Sequence, residues 1–148
     1  MRPAANLALQ LAALTAAVVL RMRWGGLETL FFMMTVIGPV LALVPTMLAI
    51  ALLRSRVLSW HVWVPFAGMS AGTLLASLFF GGDKNFVLTW IPALELLGVS
   101  GPRSEWVGLT DSVGMAGLCA FPVFLVWALA AIFVFNRPRA ASVERTSP

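Results

Sequence analysis

Four stretches of this chain contain no Asp, Glu, Lys or Arg: residues 4–20, 29–53, 57–80 and 112–135. No other feature restricts the fold so strongly. Coiled as helices, at 1.5 Å per residue, these runs measure roughly 26 to 37 Å. The hydrocarbon core of a bilayer is about 30 Å thick. Only 11% of the residues are charged, against about 25% in a soluble domain. A water-facing surface cannot be made from so few charges, so the solvent for most of this chain is lipid. The fold expected is an all-α integral membrane protein, with four transmembrane helices forming one domain over residues 1–135. The polar, proline-containing residues 136–148 are expected to be a disordered tail.

The first run is at the lower limit of length for a crossing. A cleaved signal peptide is the rival reading. Against it stand a single Arg2 before the run, no clear small-residue cleavage pattern, and Arg21 and Arg23 directly after it. Each of the other three runs contains proline: Pro39 and Pro45, then Pro65, then Pro122. A proline removes one backbone donor and bends a helix. Between the third and fourth runs lies the long connection, which contains "NFVLTWIPALELLGV", residues 85–99. It is apolar but short, and it carries Glu95, so it is expected to lie at the membrane interface as a cap over one mouth of the bundle.

The net charge of +4 does not point to nucleic acid, because the basic residues sit in short clusters beside apolar runs. They report topology instead. With four crossings, Arg2, Arg54, Arg56, Arg137, Arg139 and Arg145 fall on one side. Arg21, Arg23, Lys84 and Arg103 fall on the other. Lys and Arg accumulate on the cytoplasmic side, so both termini are expected there.

Helix pairing is written in small residues. Residues four apart share a helix face, so Gly68, Gly72 and Ala76 make a shallow groove along the third helix. Lipid offers little hydrophobic drive for helices to associate, and close van der Waals contact replaces it. Ala4, Ala8, Ala12 and Ala16 repeat the device on the first helix, Gly38, Ala42 and Thr46 on the second, and Ser112, Ala116 and Ala120 on the fourth. The groove serves either the chain's own bundle or a neighbouring subunit.

Chemistry has few footholds. Ionisable groups inside spans mark proton relays and charged-substrate paths, and Glu28, Asp83, Glu95, Glu105, Asp111 and Glu144 all lie outside the four runs. Asp111, in "LTDSVG", is expected to cap the fourth helix, and Glu28 to act likewise before the second. Cys119 is the only cysteine, which excludes an intrachain disulfide or a thiol pair. His61, the only histidine, lies between Trp60 and Val62 near the start of the third helix. It suits an interfacial aromatic belt, and a lone histidine can also give one axial ligand to a haem or chlorophyll-type pigment.

The residues therefore support a non-enzymatic accessory or scaffolding subunit of a larger integral-membrane complex. Its partners are expected to be the lipid bilayer and other membrane subunits or copies of itself. One alternative is a small homo-oligomeric transporter or channel, with Thr35, Thr46, Ser70 and Thr73 lining the path. A second is a pigment- or haem-binding subunit using His61.

Overall fold

The computed structural model describes residues 1–24, 34, 37–55, 57–79, 82–84, 88–99 and 104–135. Helix α1 spans Pro3–Trp24, and α2 spans Ile37–Ala51, running on into a 3-10 turn at Leu52–Arg54. Helix α3 spans Trp60–Phe79. A short antiparallel ribbon follows, β1 at Gly82–Lys84 and β2 at Leu88–Trp90, in register Gly82 with Trp90 and Lys84 with Leu88. The one-turn helix α4, Pro92–Leu96, leads to the long helix α5, Ser104–Phe135.

Three helices are long and apolar enough to cross a membrane: Pro3–Trp24, Trp60–Phe79 and the stretch Gly108–Val134 within α5. In the second expected crossing, residues 29–53, the described apolar helix covers Gly38–Arg54, and a fourth membrane-length helix is not shown among the described residues. The front of that run, residues 29–33 and 35–36, lies outside the described residues, as does the expected disordered tail at 136–148.

Helix directions follow from paired contacts. The Leu58 N–H donates to Met1 O at 3.0 Å, Gln10 Nε2 to Phe66 O at 3.0 Å, and Arg21 Nη2 to Ala76 O at 2.6 Å. Both partners advance together, so α1 and α3 run parallel. Parallel neighbours require the chain to return between them. Helix α2 does this: its Thr46 lies level with Gln10, and Leu52 below it joins Leu58 in the core. Helix α5 descends along α3, with Phe124 over Gly68 and Gly117 against Gly72. The four long helical elements thus alternate in direction.

The α3–α5 seam is the most extensive helix pair. A Cβ on Gly72 would stand 2.8 Å from Gly117 O. One on Gly117 would stand 2.7 Å from Gly72 O and 2.9 Å from Ala76 N. The two helices touch backbone to backbone, which only glycine at both positions allows. At Gly68 the obstacle is the Phe124 ring, 2.6 Å from where a Cβ would be. Below this seam, Phe66, Met69, Val62, Ala128 and Ala131 form the buried core with Ala49, Leu52 and Leu58.

One expected element boundary is corrected. The fourth helix begins at Ser104 rather than residue 112. Glu105 and Asp111 limit the apolar span but do not end the helix, since acidic residues suit the positive end of its dipole. Asp111 is therefore inside α5 and not its N-cap. Within the expected interfacial segment at 85–99, residues 88–90 are strand and Pro92–Leu96 are helix. Pro92 opens that helix at a position that needs no backbone donor. Gly98, at φ +75°, closes it, with Val99 N–H on Leu94 O and Gly98 N–H on Glu95 O. This is the Schellman arrangement. Ile91 and Pro92 are buried, which anchors the segment at the end of the bundle.

Replacing Gly72 or Gly117 by Ala should push the seam apart and cost about 1–3 kcal/mol. Gly108→Ala, where nothing lies within 4 Å, should be neutral or stabilise by about 1 kcal/mol. Thermal unfolding in a mild detergent separates the three. Equal melting temperatures for the wild type, Gly72→Ala and Gly117→Ala would refute the backbone contact.

Candidate functional site

The inward face of α1 is Pro3, Asn6, Gln10, Ala13 and Ala17. Their spacing of three and four is that of one helical stripe. It contains two carboxamides in a run that otherwise has only Thr15 as a polar residue. Lipid cannot hydrogen-bond an amide, so both must turn inward. Asn6 is fully buried, and neither its nitrogen nor its oxygen has a hydrogen-bond partner among the described residues. Gln10, one turn on, is 4% exposed and donates to Phe66 O.

That carbonyl is shared, because Ser70 Oγ also donates to it at 3.2 Å. Thr73 Oγ1 donates to Met69 O at 2.9 Å. Gln10, Thr46, Ser70 and Thr73 converge on a cavity of about 10 Å³ at the junction of α1, α2 and α3, with Ala42 and Pro45 in its wall. Thr46, Ser70 and Thr73 are three of the four residues considered for a solute path; Thr35 lies outside the described residues. The space they border has room for about one water.

A second, larger crevice of about 250 Å³ lies at the opposite end from the cap. Leu52, Val57, Leu58, Val62 and Ile132 line it, together with Ser55 and Ser59. Its walls mix apolar and polar surface.

The other singled-out residues separate into packed and outward-facing groups. Gly72 is buried in the α3–α5 seam, with Gly68 and Ala76 half-buried beside it. Gly38 is buried and Ala42 half-buried on α2. On α5 the expected stripe is displaced: Ser112 and Ala116 are exposed and Ala120 is half-buried, while Gly114 and Gly117, one or two positions round, are buried. The Ser112 hydroxyl returns to Gly108 O at 2.7 Å. On α1, Ala4, Ala8 and Ala12 are exposed, so that stripe faces away from the bundle.

His61 is half-buried, and its ring lies 3.7 Å from that of Trp60 at an interplanar angle of 35°. Among the described residues there is no group of three or more His, Cys, Asp or Glu side chains that could hold a metal ion. Cys119 is exposed on the outer side of α5. Glu28 lies outside the described residues.

Asn6, Gln10 and Gly117 were missed by the reading of the sequence. The signal for the first two was present: two amides four apart inside a charge-free run must share the buried face. Gly117 was masked by its small neighbours. No protein-family model matches the chain, and no curated protein or solved structure matches it either.

Asn6→Leu, which keeps the branching and removes both unpartnered polar atoms, should be neutral or stabilise the protein by about 1–3 kcal/mol. The check is the melting temperature of the purified chain in detergent. A fall of several degrees would mean that the Asn6 amide is satisfied in the membrane.

Proposed function

We propose that this protein is a non-enzymatic accessory subunit of a larger integral-membrane assembly, built as four membrane crossings with its chain ends in the cytoplasm. The observation that carries this reading is the outer face of α5. Only 17% of its membrane-length stretch is buried within the chain, against 39% for α3. Leu118, Val123, Val126, Leu129, Phe133 and Val134 stand exposed along it. Small residues occupy the inner seam, and large apolar ones face outward. That division suits a chain whose interior is used for its own packing and whose exterior meets lipid and neighbouring helices.

The interior favours this over transport by a single chain. Its polar groups bond to helix carbonyls or border a water-sized space, and the charges of the described spans lie near their ends, at Arg21, Arg23 and Asp111. The alternating helix directions favour four crossings, since the parallel pairing of α1 with α3 needs a return through α2. The excess of basic residues on the Arg54 side favours a cytoplasmic location for that end.

Purification in a mild detergent, with mass analysis and an absorption spectrum on the same peak, tests the assignment. Stoichiometric foreign membrane subunits are expected. A chain emerging alone as a defined oligomer would overturn the accessory reading and favour transport. A visible band lost in His61→Ala would favour pigment or haem binding. Topology has its own test in a Cys119→Ser background. Ser55→Cys should react with an impermeant thiol reagent only after cells are opened, and Leu97→Cys should react in intact cells. The reverse pattern would invert the orientation.

A further inference from the structure

Four of the hydroxyl-bearing residues in the described helices can be compared directly. A helical Ser or Thr ordinarily bonds back to the carbonyl one turn earlier. Ser70 does so to Phe66 O, Thr73 to Met69 O and Ser112 to Gly108 O. Thr46 does not. It is 6% exposed, and its hydroxyl makes no hydrogen bond with any described residue. Across the same cavity stands the Gln10 side chain. Its nitrogen is bonded to Phe66 O, and its oxygen accepts no hydrogen bond from a described residue. A donor and an acceptor, each on a side chain that is nine-tenths buried, therefore border a cavity of about 10 Å³ with no hydrogen bond between them.

We propose that this junction is a binding site for one structural water, which joins α1, α2 and α3. The size is right, since a single water needs at least about 10–15 Å³ of such space and two to four polar partners. The partners are complementary. The water accepts from the Thr46 hydroxyl, donates one hydrogen to Gln10 Oε1, and donates the other to a lone pair left on Ser70 Oγ or Thr73 Oγ1. The Thr46 hydroxyl and Gln10 Oε1 each then have a partner, which matters most where lipid offers no alternative. The lining carries no ionisable side chain, so a neutral guest fits better than an ion. The position also matters. Among the described elements, α2 packs chiefly on α1, so a hydrogen-bonded bridge to α1 and α3 at its midpoint fixes its rotation.

The inference does not depend on the accessory reading and is tested on the full chain in detergent. Thr46→Val and Gln10→Leu, singly and together, are compared by melting temperature. Each single variant should lose several degrees, and the double should melt no lower than the worse single, because either change releases the same water. Strictly additive losses between two residues that do not touch would overturn the proposal. A density map of the wild type gives a second measurement that no folding defect can obscure. A solvent peak within about 3.2 Å of both Thr46 Oγ1 and Gln10 Oε1 is expected. A direct Thr46–Gln10 hydrogen bond, or a Thr46 hydroxyl turned back to Ala42 O, would overturn it. So would a melting temperature that rises when sodium replaces choline, since that would mark a cation.

Discussion

Everything in the bundle is arranged around the contact of Gly72 with Gly117. A Cβ on either glycine would stand 2.7 to 2.8 Å from the facing carbonyl oxygen, so α3 and α5 meet backbone to backbone here. In water, large apolar side chains would hold two such helices together. In lipid those side chains gain little by pairing, and attraction depends on how many atoms come within van der Waals range. The seam sets the height of α5 on α3, and so places Phe124 over Gly68 and the alanines 128 and 131 against Phe66 and Met69. Because α3 is thus held by α5 on one side, its other side is free to receive α1.

The second organising demand is polar. A soluble helix can leave an amide or hydroxyl to water; a membrane helix cannot. On α1 the response is a stripe that turns Asn6 and Gln10 to the interior and leaves Ala4, Ala8 and Ala12 outside. Alanines at 13 and 17 continue the stripe, so the helix approaches α3 closely enough for Gln10 and Arg21 to reach carbonyls on it. The hydrogen bonds and the small residues are parts of one design, since each long side chain reaches its carbonyl only because its neighbours are small.

Much of this was legible in the charge-free runs. They located three membrane-length helices, and the glycine spacing on α3 marked the face that receives α5. The partner face on α5 was not legible to the same degree. Ser112, Ala116, Ala120, Gly114 and Gly117 place small residues in overlapping stripes, and a spacing rule cannot rank them when several registers satisfy it. Only the backbone approach separates Gly117 from the rest. The start of α5 was misplaced for another reason: hydropathy locates the edge of the lipid, whereas helix hydrogen bonds continue past it to Ser104. The ribbon at 82–84 and 88–90 was illegible because three-residue strands carry no periodicity to read. In the polar junction, the hydroxyls were visible as a set, but their meeting with Gln10 depends on the parallel alignment of α1 and α3, which no local pattern encodes.

That parallel alignment has a consequence for how the molecule is made. The carbonyl that accepts from Gln10 lies 56 residues further along the chain. A ribosome feeding the membrane therefore delivers α1 well before the helix that satisfies it. Through that interval Gln10 lacks the carbonyl it bonds in the folded chain, and of the helices beside it only α2 has been made. Only when α3 arrives can the Gln10 side chain reach the carbonyl that accepts from it.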